Sequence, residues 1–233
     1  MSTEDIIRDI REFAKPTIVK TISLIVLISL IVLGVIVIKN VNSELKIREI
    51  ASKMQQFKYS TLSFNNIYSG LPGDLSNATF YWKEVTDNGN LDKKIDSTNN
   101  ETILAWQHLQ LAKLMPDETD KMSGKWSDGK DGIIISRQNA PRGNIENSVF
   151  FIGYMEEYSA NVIGFAHNSS TKGLPLSPAL TPEQAYNLDL MIDDGYPKKG
   201  SLLSIGTETN KCELAGEYKM EQDILECLII NKI

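Results

Sequence analysis

Asp189, Asp193 and Asp194 stand close together in the stretch NLDLMIDDG, and their type and spacing could hold a cation. Calcium takes six or more oxygen ligands at ~2.3–2.6 Å, usually from several carboxylates. Asp128 and Asp131 form a second acidic turn. Neither stretch has the spacing of an EF-hand loop. Asp193-Asp194-Gly195 also reads as a helix stop followed by a tight turn, and the turn chemistry favours that reading over calcium.

Catalytic chemistry finds less to work with. The two histidines are His108 and His167. His108 falls on a predicted helix face beside Trp106 and Leu109, where a hydrogen-bonded structural role is expected rather than that of a base. His167 ends a predicted strand. No G-x-S-x-G, P-loop or H-E-x-x-H pattern occurs. No catalytic residue and no cofactor are therefore expected, and the chain reads as a non-enzyme. Trp82, Trp106 and Trp126 read as core residues before they read as a groove. Cys212 and Cys227 stand without a C-x-x-C or a Cys/His cluster, which argues against zinc. They are either two unrelated buried thiols or, in a domain outside the cytoplasm, a disulfide. A net charge of -6 and a pI near 5.1 argue against nucleic acid as a partner.

The elements that must position these residues begin with KPTIVKTISLIVLISLIVLGVIVIKN, residues 15–40. No charge occurs from residue 22 to residue 38. About 20 apolar residues at ~1.5 Å each cross a ~30 Å hydrocarbon core, so the run predicts a membrane anchor at 17–38. It is long for a cleavable secretory signal and no small-x-small site follows it. Basic residues flank both ends almost equally: Arg8, Arg11, Lys15 and Lys20 before, Lys39, Lys46, Arg48 and Lys53 after. The segment 1–16 is too short to fold, so it is expected in the cytoplasm, with the large cysteine-bearing part outside.

No proline or glycine interrupts residues 35–69, and Ile47, Ile50, Met54, Phe57, Thr61, Phe64 and Tyr68 recur at steps of three and four. That is one narrow helical face. The anchor and this stripe (39–69) predict a single helix over about 17–68, ended by Gly70-Leu71-Pro72-Gly73-Asp74. Ser76 is expected to cap a short turn carrying Phe80 and Trp82. A second amphipathic helix is expected over about 100–115, stopped by Pro116. Strands are expected at 133–135, 149–152, 162–165, 201–205 and 225–230. Thr181-Pro182-Glu183 opens a short helix with a cap, a proline in the first turn and an acid at the positive end of the dipole. One long helix followed by mostly antiparallel strands reads as α+β, with residues 70–233 as the globular domain.

This order of parts resembles the type IV pilin family, including the pseudopilins of type II secretion. FNNIYSGLPGDLSNATFYW, residues 64–82, is similar to a segment of one bacterial subgroup, with Tyr68, Leu71-Pro72-Gly73-Asp74, Asn77-Ala78 and Trp82 carrying the likeness. The turn Asn88-Gly89-Asn90 is similar too. So are Glu101, Trp106, His108-Leu109, Ala112 and Leu114, and LTPEQAYNLDLMIDDGYPKKG at 180–200. The resemblance implies a pilin-like fold, a long N-terminal helix packed on an antiparallel sheet. It implies a disulfide-closed region at Cys212 and Cys227, and calcium in a C-terminal loop as some pseudopilins have. It also implies a non-enzymatic subunit of a bacterial type IV pilus or type II secretion-type assembly. Such a subunit would sit in the inner membrane with its domain in the periplasm or at the surface, in contact with lipid and other pilin-like chains.

The N-terminus departs from that pattern. Aligned on the helix, Pro16 stands where prepilins have the glycine before the cut, and Thr21 where they have a glutamate. The family's glutamate neutralises a neighbouring subunit's terminal amine in the apolar filament core, because a buried charge needs a partner. The alternative reading is therefore an uncleaved, stand-alone binding module or adhesin.

Overall fold

The computed structural model describes residues 16–85, 87–96, 100–115, 139–168, 173–206, 212–221 and 224–233. The helices are α1 (Pro16–Tyr68), α2 (Ala78–Tyr81), α3 (Glu101–Leu111) and α4 (Pro182–Ile192). The strands are β1 (Ser148–Met155), β2 (Ala160–His167), β3 (Leu202–Ile205), β4 (Glu213–Leu214), β5 (Glu217–Tyr218) and β6 (Leu228–Lys232). The chain divides into two compact units, Met1–Leu45 and Lys46–Ile233.

The described part of the first unit is α1 alone. Residues 19–42 are exposed throughout, and an 18-residue window reaches a mean hydropathy of 3.1 with none of it buried. A soluble core helix of such composition would be covered by protein. This one is long and apolar enough to cross a bilayer, the solvent in which an exposed apolar helix costs nothing.

In the second unit the three-four stripe of α1 is the side that is covered. Ile47, Ile50, Met54, Phe57, Thr61 and Phe64 are all buried. Thr61 satisfies its hydroxyl within the helix by donating to the Phe57 carbonyl at 2.9 Å. Phe57 is the meeting point of three elements. Its ring lies edge-on to Trp106 of α3 at 5.0 Å and to Phe150 of β1 at 5.2 Å. Phe150 in turn meets Phe165 of β2 at 5.0 Å.

The sheet is four-stranded and antiparallel, in the order β1-β2-β6-β3. β1 and β2 form a hairpin through a 3-10 turn at Glu156–Tyr158. β6 enters between β2 and β3, with Val162 opposite Lys232 and Leu202 opposite Asn231. The Lys58 ammonium of α1 donates to the Lys232 carbonyl at 2.6 Å and to Asn231 Oδ1 at 3.3 Å, which ties the helix to β6. The fold class is α+β, a long N-terminal helix over an antiparallel sheet.

α4 begins as its sequence predicts. The Gln184 N–H donates to Thr181 Oγ1 at 3.3 Å and the Thr181 N–H donates to Gln184 Oε1 at 3.1 Å, a reciprocal capping box. Other expectations need correction. Ser76 is not the cap of α2; Asn77 holds that position and its side chain makes no capping bond. α3 ends at Leu111 rather than near Pro116, because Lys113 has turned left-handed (φ 57). It is also not amphipathic: Glu101 to Leu109 are buried on every side. The last strand lies at Leu228–Lys232, later than the apolar run predicts, since Cys227 and Glu226 are occupied in bonds with Leu180. The strand expected at 133–135 lies outside the described residues, as does the segment 1–15.

Cys212 and Cys227 form a disulfide that encloses the β4–β5 hairpin, with a sequence separation of 15. Thiol labelling of the native protein is expected to find neither cysteine reactive. A Cys212→Ser/Cys227→Ser variant is expected to lose up to about 3 kcal/mol in denaturant unfolding, the chain-entropy value for a loop of this size. Labelling of both thiols in native protein would contradict the bridge.

Candidate functional site

Three segments converge where α1 ends: the Gly70–Asp74 turn, the loop at 87–96, and the start of α3. Two glycines allow the approach. Gly73 has φ +87, and a Cβ there would run into the Glu101 carbonyl oxygen. A Cβ on Gly89 would run into the Asp74 backbone. The Gly73 N–H donates to His108 Nδ1 at 2.9 Å. With that nitrogen accepting, the neutral ring carries its proton on Nε2, which meets no hydrogen-bond partner among the described residues. The ring lies stacked on Phe64 and near Trp82, and burial pushes its pKa down to about 4. His108 thus holds a turn as a neutral acceptor.

Asp74 and Glu101 are fully buried carboxylates that work as pairs of acceptors. Asp74 Oδ1 takes the Asp92 N–H at 3.1 Å and Oδ2 the Lys93 N–H at 2.8 Å. Glu101 Oε1 takes the Asn90 N–H at 3.2 Å and Oε2 the Asp96 N–H at 2.7 Å. Between these anchors the chain holds two non-glycine residues left-handed, Leu91 (φ 62) and Lys93 (φ 70). Such residues persist where surrounding bonds over-determine them. Oxygens of Asp74, Asp92 and Glu101 lie within 4.8 Å of one another. Sequence reasoning missed this cluster. Its signal is present in Asp74 and Glu101, which the sequence shows as parts of a likeness and not as carboxylates that must be brought together.

The cluster has an electrostatic cost. Burial pushes the Glu101 carboxyl up to about 7, and the neighbouring Asp74 and Asp92 charges add to that, against the two N–H donors that hold its charged form. Burial raises Asp74 as well. A raised carboxylate makes the folded state bind a proton that the unfolded chain releases between pH ~4.5 and 7. Stability is therefore expected to fall as pH rises through that window, by ~2 kcal/mol from Glu101 between pH 5 and 7.5. Denaturant unfolding of the full chain in micelles from pH 5 to 8 checks this. Glu101→Gln, a neutral isostere of the protonated acid that cannot titrate, should show a flatter slope. An equal slope in both proteins would refute the assignment.

The three aspartates singled out first are also brought together, their oxygens within 4.8 Å. Asp189 is buried, and its Oδ2 accepts the Tyr218 hydroxyl at 2.7 Å while Oδ1 accepts the Gly195 N–H at 3.2 Å. Burial pushes Asp189 up to about 6, with Asp194 and Asp193 adding to it, and burial also pushes the Tyr218 hydroxyl up. Asp193 Oδ2 accepts the N–H groups of Ser201 and Leu202 where β3 begins. Asp194 Oδ1 accepts the Tyr196 N–H at 2.9 Å. These bonds stop α4 and turn the chain into β3. The same oxygens are the ones a calcium ion would take. Trp106 is in the core and Trp82 is partly buried beside Tyr68 and Phe64. Asp128, Asp131 and Trp126 lie outside the described residues.

No protein-family model, no curated protein and no solved structure matches this chain.

Proposed function

We propose that this protein is a membrane-anchored, pilin-like or pseudopilin-like subunit of a bacterial type IV pilus or type II secretion-type assembly. It carries no catalytic site and works through contacts with other proteins. The observation that supports the reading most is α1. One helix joins an exposed apolar stretch, long enough for a bilayer, to a stripe that forms the core of an α+β domain. The motifs that carry the resemblance add to it, since Gly73, Asp74, Gly89 and Glu101 close one tight junction at the end of that helix. A disulfide in the domain favours an oxidising compartment. The domain then lies on the periplasmic or outer side of the inner membrane, with the N-terminus in the cytoplasm.

Crosslinking in native membranes, followed by purification under denaturing conditions, tests the reading. Other pilin-like chains are the expected partners. Recovery of the monomer alone would overturn it.

A second reading is favoured by Pro16 and Thr21, which stand where processing and charge pairing would need glycine and glutamate. It is a stand-alone module or adhesin on an uncut anchor. Mass spectrometry of the protein from its own membrane separates the two. An N-terminus near Thr17 with a methylated amine would eliminate the uncut anchor.

A further inference from the structure

A cleft of about 370 Å³ opens between the C-terminal half of α4 and strand β5. Three tyrosines, Tyr186, Tyr196 and Tyr218, make its aromatic wall, and Met220 lies beside them. Tyr186 and Tyr218 meet edge to face at 5.9 Å. Tyr218 is fixed from behind by its bond to the buried Asp189 carboxylate. The charged residues on the lining are Asp194 and Glu217, both acidic and both exposed.

From this lining we infer that the cleft binds a guanidinium group, an arginine side chain presented by a partner protein. Tyrosine faces carry negative π density and attract cations. A guanidinium is planar, weakly hydrated and able to stack on a ring while its N–H groups reach carboxylates. Two carboxylates with no lining base repel an anion. The volume is at the small end of the ~300–1,000 Å³ range of ligand pockets and has room for one arginine side chain. The Lys199 ammonium sits 4.1 Å from the Tyr196 ring centroid, so an incoming guanidinium has Tyr186 and Tyr218 as its open faces and must displace Lys199 to use Tyr196. The inference rests on the protein-contact reading for the origin of the arginine, but the cleft's chemistry can be tested without any partner.

The test is a titration of the full-length protein in detergent micelles, with ring-labelled tyrosines followed by NMR. The probe is N-acetyl-arginine amide; N-acetyl-citrulline amide is its neutral isostere. Saturable shifts at Tyr186, Tyr196 and Tyr218 are expected, with citrulline at least tenfold weaker. Asp194→Asn with Glu217→Gln should weaken arginine at least tenfold. An amide at position 194 keeps an acceptor for the Tyr196 N–H, and position 217 is exposed, so the fold should survive; an unchanged melting curve verifies it. Absence of saturation, equal binding of citrulline, or an unaffected double variant would each overturn the inference. So would shifts produced by a neutral oligosaccharide and not by arginine, which would make the cleft a glycan site. Crosslinked partners found as above with no arginine binding would sink the cleft and leave the assembly role standing.

Discussion

Phe57→Ala is expected to cost the domain about 3–5 kcal/mol, the range for deleting a large aromatic from a core that cannot collapse around the hole. Phe57 is fully buried and is the ring that α1, α3 and β1 share. Its removal strips Trp106 and Phe150 of an edge-to-face neighbour at once. Neither can move inward, because Trp106 is on a helix buried all round and Phe150 is held by Phe165. Phe57→Leu keeps most of the volume and should cost less than half as much. Denaturant unfolding in micelles, read by tryptophan fluorescence, measures both. A loss below about 1 kcal/mol in the alanine variant, well short of the core range, would mean that the helix stripe does not carry the core.

Gly73→Ala is expected to cost about 2–5 kcal/mol, although it adds only a methyl group. Left-handed backbone costs a residue with a Cβ about 1–2 kcal/mol. The rest comes from overpacking, about 1–3 kcal/mol in cores. The new Cβ would strike a backbone carbonyl, that of Glu101, and a backbone atom cannot rotate aside as a side chain can. The turn must then separate from α3, and the bond from Gly73 to His108 goes with it. Gly34 is the control. A Cβ there meets nothing within 4 Å, so Gly34→Ala should not destabilise and should gain at most about 1 kcal/mol, the helix propensity of alanine over glycine. Equal behaviour of the two variants would refute the close-approach account.

What could be read from the residues, and what could not, follows from range. The α1 stripe was legible because its period is local and its apolar residues sit three and four apart. β1 and β2 were legible as two apolar runs, though not their pairing, and α4 from Thr181-Pro182. The all-round burial of α3 was not, because the residues that cover it come from distant parts of the chain. Nor was the burial of Asp74 and Glu101, since a lone carboxylate reads as solvated until the backbone donors around it are known. Asp193-Asp194-Gly195 read as a helix stop, and the bonds of Asp193 and Asp194 are those of such a stop. The partner of Asp189, the Tyr218 hydroxyl, lies 29 residues away and had no local sign.

The position of β6 has a consequence for how the domain comes into being. Among the described residues β3 pairs with β6 alone, and β6 is the strand that covers the inner edge of β2. A nascent chain that has not yet delivered residues 228–232 therefore holds a hairpin with one raw edge and a strand with no mate. Pairings across such sequence distances form slowly, and open edges invite association meanwhile. The same stretch follows directly on Cys227, so the second half of the disulfide and the strand that closes the sheet become available together. Closure of this sheet waits on residues 228–232, and until they pair, the open edge of β2 is where association is expected to begin.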